Sequence, residues 1–83
     1  MKEKFEKIKN AIEPVLSKEE IIVSDITYKN DGKYNFLTIE LDKVNGIDLE
    51  TIVKATEEIN PIIDKLDLID DSYILDVVSK ERG

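Results

Sequence analysis

The 83-residue sequence predicts an α/β fold of the α+β type: a two-layer sandwich of order α-β-β-α-β, with two helices on one face of a three-stranded sheet. Three observations lead there. Apolar residues recur at three-and-four spacing in two long segments, the signature of helices with one buried face. In three shorter segments they alternate, or gather in β-branched runs, as strands require. Turn chemistry at Gly32 and Gly46 punctuates the joints between these segments.

The first helix is carried by Phe5, Ile8, Ile12, Val15 and Leu16 over residues 3–17, with a kink or early stop expected at Pro14, which has no N–H and crowds the preceding turn. Residues 21–28, Ile-Ile-Val-Ser-Asp-Ile-Thr-Tyr, form the first strand, and residues 29–33 a turn centred on Asp31-Gly32. The strand over 34–42 returns as a hairpin, with Leu37, Ile39 and Leu41 on one face and Thr38, Glu40 and Asp42 on the other. It leaves through an acidic turn containing Gly46, and Asp48 is placed to cap the helix that begins at Leu49.

That second helix runs to about Leu66, with Leu49, Ile52, Val53, Thr56, Ile59, Ile63 and Leu66 as its stripe; Asn60-Pro61 marks either a kink or a fresh start. Residues 73–78 form the last strand. Joined by a helix, the second and third strands run parallel if adjacent; the alternative, a split sheet with the first strand between them, is favoured. The expected core is Ile8, Ile12, Ile26, Ile39, Leu41, Ile52, Ile59, Ile63, Leu75 and Val77.

Composition removes several classes of function. Histidine and cysteine are both absent, so the commonest general base, the thiolate nucleophile and the usual soft metal ligands are missing. No catalytic residues, metal or cofactor are expected. Glu57 and Glu58 are adjacent on a helix and do not face each other. Asp67, Asp70 and Asp71 lack the ligand spacing and central glycine of a calcium loop and read as a solvated acidic connection. No apolar run reaches membrane-spanning length, and a cytoplasmic monomer is expected.

The net charge of −7 opposes indiscriminate attraction to nucleic-acid phosphates and favours a basic partner, although it also serves plain solubility. The three glycines cannot build the GxxG loop of a KH domain. Phe36 lacks the basic and aromatic companions of an RRM motif, and Tyr28, Tyr34 and Tyr73 read as packing residues. The rival to protein binding is a small RNA-binding module that uses Lys7, Lys9, Lys29 and Lys33 from the first helix and the hairpin turn.

Four stretches resemble the N-terminal domain of the bacterial ribosome maturation factor RimP. They are Ile12-Glu13-Pro14-Val15, residues 22–28, the strand, acidic turn, Gly-Ile pair and helix start from Leu37 to Leu49, and residues 73–79. The likeness spans about Phe5 to Ser79. It departs at Thr38, where the family commonly has a basic residue, and at Ser79-Lys80-Glu81, in place of a Ser-Pro-Gly step.

The resemblance implies a non-enzymatic factor for small ribosomal subunit assembly, acting on a basic ribosomal protein and on nearby ribosomal RNA. Position and charge single out Asp42, Asp48, Glu50 and Asp76 as candidate partner contacts, Asp48 having the helix-cap reading beside the binding one. Residues 1–83 are expected to form one domain without the family's second, small β-barrel domain. Such a domain is expected to fold alone and not to replace a full-length factor.

Overall fold

A computed structural model describes residues 2–80, in the order α1 (Lys2–Ser17), β1 (Ile21–Asp31), β2 (Tyr34–Lys43), α2 (Leu49–Leu66) and β3 (Ile74–Ser79). Glu81, the last residue of the step compared with Ser-Pro-Gly, lies outside the described residues. Both helices lie on one face of the sheet, α1 against β1, α2 against β3, and each against the other. The expected two-layer architecture is therefore the one found.

In α1 the buried residues Ile8, Ile12 and Leu16 sit four apart, so they stack on one side of the helix. Pro14 does not end it; the helix continues through to Ser17. α2 likewise runs unbroken through Pro61, so the fresh start at Asn60 does not occur. A proline removes one donor from a helix, but burial of Ile12 and Leu16 in one case, and of Ile59 and Ile63 in the other, outweighs that loss.

The hairpin is tighter than expected. β1 extends to Asp31, which pairs with Tyr34, and only Gly32-Lys33 remain as the loop. Gly32 has φ +64° while Lys33 has no positive φ, the pattern of a II′ turn with glycine at its first central position. Lys29 and Asn30 thus belong to the ladder, opposite Phe36 and Asn35, and an Asn30–Asn35 side-chain hydrogen bond of 2.8 Å spans that last rung. Gly46 has φ +85° in the turn that closes when its N–H donates to the Lys43 carbonyl at 2.9 Å.

The sheet order is β1-β2-β3, with β1–β2 antiparallel and β2–β3 parallel. This corrects the split arrangement: β2, not β1, is central. β2 presents Leu37, Ile39 and Leu41, all fully buried, in unbroken alternation. A strand with that inward face gains most from neighbours on both sides. β1 instead carries a bulge between Val23 and Asp25, a device typical of sheet edges.

The core contains Ile8, Ile12, Ile26, Ile39, Leu41, Ile59 and Ile63 as expected, joined by Leu16, Ile21, Val23, Leu37 and Ala55. Leu75 and Val77 are only half-buried, because β3 is an edge strand and has a neighbour on one side alone, and Ile52 of α2, which lies beside Val77 and Val78, is half-buried with them. Leu49 and Val53, expected in the helix stripe, are exposed. The helix approaches through Ala55 instead, whose small side chain is fully buried. Thr56 satisfies its hydroxyl by donating to the Ile52 carbonyl at 2.7 Å.

Candidate functional site

Since both helices occupy one face of the sheet, the other face has no covering layer among the described residues. Strand alternation and register determine what it displays. β2 contributes Tyr34, Phe36, Thr38, Glu40 and Asp42, the residues between its buried ones. Opposite these, β1 supplies Asp31, Lys29, Thr27, Asp25 and Ile22, and β3 supplies Ile74, Asp76 and Val78. The face therefore holds five carboxylates, those of Asp25, Asp31, Glu40, Asp42 and Asp76, against the ammonium of Lys29 and, just past the end of β3, that of Lys80, whose N–H continues the ladder by donating to the Leu41 carbonyl at 2.7 Å.

Two of these carboxylates are direct register partners: Asp25 faces Glu40 across the β1–β2 ladder. Like charges in that position destabilise a sheet. Asp25 Oδ1 accepts from the Ile26 N–H at 3.0 Å, and Asp42 Oδ1 from the Lys43 N–H at 2.8 Å. The Asp25 carboxylate thereby occupies one oxygen with backbone and retains acceptor capacity on the other. Neither Asp25 nor Glu40 was among the expected contacts. Alternation alone places Glu40 beside Asp42, but finding Asp25 requires the hairpin register and the bulge at Ser24.

The four expected contacts separate into two places. Asp76 lies mid-sheet, opposite Thr38, about 13 Å along the strand direction from the level of Asp42. Asp42 ends β2, and Asp48 and Glu50 lie a few residues on, at the start of α2. Asp48 is the helix N-cap: its Oδ1 accepts from the Thr51 N–H at 2.8 Å, with φ −94° and ψ 172°. Hydrogen bonding from Thr51, through its side chain first and its backbone N–H second, holds the Asp48 carboxyl below the usual carboxylate range, helped by nearby Lys43. Glu50 occupies the first helical turn, where a negative charge complements the helix dipole.

The rival lysines do not share a surface. Lys7 and Lys9 lie on α1, in the helical layer, and Lys9 pairs with Glu13 at 3.5 Å. Lys29 is on the opposite, open face of the sheet, and Lys33 is in the hairpin turn. Phe36 does have an aromatic companion: the Tyr34 ring lies beside it, centroids 6.5 Å apart and tilted by 57°. Tyr34 is exposed, whereas Tyr28 and Tyr73 pack against the core as expected.

At the far end of α2, Asp67 adopts the left-handed conformation (φ 47°, ψ 48°) as C-cap, its N–H donating to the Ile63 carbonyl at 3.3 Å. Burial, then the carboxylates of Asp64 and Asp67, push the Tyr73 hydroxyl above its ordinary pKa. Among the described residues no three acidic side chains are grouped to hold a metal ion. No helix among them is long and apolar enough to cross a membrane.

A model of the RimP N-terminal domain matches residues 5–80. The chain belongs to the RimP N-terminal domain family. The match covers the whole α-β-β-α-β unit apart from the first residues of α1, and agrees with the extent marked out by the four resembling stretches. RimP proteins are ribosome maturation factors that act in assembly of the small subunit. In this RimP domain the acidic turn and Gly-Ile pair connect central strand β2 to capped helix α2, directly beside the end of β3.

Proposed function

We propose that this RimP domain recognises a basic protein of the small ribosomal subunit, in the cytoplasm and as a monomer, through its open sheet face and the adjoining start of α2. The observation that carries this reading is the composition of that face: five carboxylates against two lysines, one of them past the strand end, and no covering layer among the described residues. The opposed Asp25–Glu40 pair strengthens it, because a face shaped for stability alone has no use for that repulsion. A cationic segment laid across the sheet relieves the repulsion and gains charge-assisted hydrogen bonds to these carboxylates. Asp42 and Asp76 contribute from the sheet, and Asp48 and Glu50 from the helix start.

The test is affinity capture from a mixture of small-subunit proteins. The 83-residue chain should enrich one or more basic members at low salt. The triple variant Asp25→Asn, Glu40→Gln, Asp76→Asn should lose them while retaining its fold by circular dichroism. Capture of no basic protein counts against the proposal. So does tight binding of labelled ribosomal RNA whose affinity falls steeply with salt, since that is the behaviour of direct phosphate contacts.

A further inference from the structure

Leu49 and Val53 stand one helical turn apart on the same side of α2, and both face solvent, at 79% and 50% exposure. They are not isolated. Leu49 forms the wall between two shallow depressions. One, of about 370 Å³, lies between α2 and the end of β3 and is lined by Ile47, Ile52, Val77 and Val78 with Asp48. The other, of about 300 Å³, runs along α2 past Val53 to Glu50 and Glu57. Apolar ground thus continues from the helix to the end of β3, with carboxylates at its rim.

Two cations beside this ground are already committed. The Lys54 ammonium lies 2.8 Å from the Glu19 carboxylate, and Lys43 stands close enough to Asp48 to lower its pKa. The rim carboxylates Asp48, Glu50 and Glu57 therefore leave the surroundings of an apolar patch negative. A second copy of this chain would bring the same carboxylates against themselves and add a net charge of −7 to another −7. A segment with apolar side chains flanked by Lys or Arg meets both the patch and its rim.

We infer that the Leu49–Val53 ridge, with the grooves beside it, is the apolar docking point for such a segment of the basic partner, so that binding combines charge on the sheet with burial at the helix corner. This rests on the proposed recognition of a basic protein and adds where on the domain the partner's apolar side chains are seated. Charge on an exposed face chiefly steers encounter and sets salt dependence, whereas apolar side chains seated in grooves slow dissociation.

Two synthetic peptides of equal length and equal lysine content separate the contributions, one with two leucines four residues apart and the other with serines in their place. Titrated into the ¹⁵N-labelled 83-residue chain, the leucine peptide should bind about tenfold more tightly. It should also shift the amide signals of Leu49, Ile52, Val53 and Val78. The double variant Leu49→Ser, Val53→Ser should melt like the parent, since both side chains are exposed, and should bind both peptides with the weaker affinity. Equal affinity of the two peptides for the parent overturns the docking point while leaving charge recognition intact. Retention of the tenfold preference by the double variant overturns it as well. Concentration-dependent dimerisation that the double variant abolishes would assign the ridge to a second copy instead. Binding of neither peptide removes the proposed recognition along with the docking point.

Discussion

The two faces of strand β2 are made from alternate residues of one ten-residue segment, yet they belong to different environments. Leu37, Ile39 and Leu41 are completely buried beneath two helices. Thr38, Glu40 and Asp42, each one residue further along the backbone, look out from the opposite face, where Asp25 and Asp76 join them from the neighbouring strands. The pleat lets the inward residues be selected for burial and leaves the outward ones available for other purposes. The contrast teaches where a small domain has room for recognition. With one modest core it cannot spare inward positions, so a partner surface must be built from the remaining half of its strands.

That division predicts a wide gap between adjacent substitutions. Ile39→Ala should cost about 2–5 kcal/mol by urea denaturation, while Thr38→Ala next to it should change stability by less than about 0.5 kcal/mol. Similar losses at both positions would break the comparison. Removing charge from the open face should give the reverse profile. Glu40→Gln and Asp76→Asn should each weaken binding of the basic partner roughly two- to fivefold, the scale of a single exposed ion pair. Glu40→Gln should leave the melting temperature unchanged or slightly raised, because Asp25 then faces a neutral side chain.

Asp48 lies at the boundary between structural and recognition roles, and pH separates them. Its folded pKa is lowered, so its contribution to stability is present above the ordinary value of 3.8 and is lost as pH falls through the lower folded value. Asp48→Ala should reduce the melting temperature at neutral pH, and the difference from the parent should shrink under acid conditions. Asp48→Asn, which also caps helices, should keep most of the neutral-pH stability but lose this acid dependence. A partner affinity that falls in both variants would assign the carboxylate to recognition as well.

The smallest expected effect is at Tyr73. Its hydroxyl pKa is raised on folding, so the stability tied to its neutral form is complete below pH 10 and is lost as pH rises through the raised folded value. Tyr73→Phe should flatten the alkaline limb of a stability–pH curve without altering partner binding at neutral pH. An unchanged alkaline limb would show that the hydroxyl contributes nothing to it.

Much of this was legible in residue order. The alternation of Leu37, Ile39 and Leu41, the four-residue spacing of Ile8, Ile12 and Leu16, and the cap at Asp48 are local patterns, readable within one or two turns or a single strand. The stripe of α2 was harder. Leu49 and Val53 are large and apolar and suggest an inward face that begins at the helix start, whereas Ala55, which lies against the core, carries little weight in any hydrophobic pattern. The open face was legible at Asp42 and Asp76 but not at Asp25, whose alignment with Glu40 depends on the one-residue bulge at Ser24.

Sequence by itself determined the element order, the acidity, the two glycine-bearing turns and the family to which the chain belongs, because each is written in neighbouring residues or in their total. Tertiary structure alone decided that β2 is central, that the last strand is a half-buried edge, and that Leu49 and Val53 remain outside. The physical reason is one of range. Periodicity is set by backbone geometry over a few residues, but the place of a strand in a sheet is settled by which arrangement buries the most apolar surface across the whole chain. Leu37, Ile39 and Leu41 are completely buried only where β1, β3 and both helices surround them.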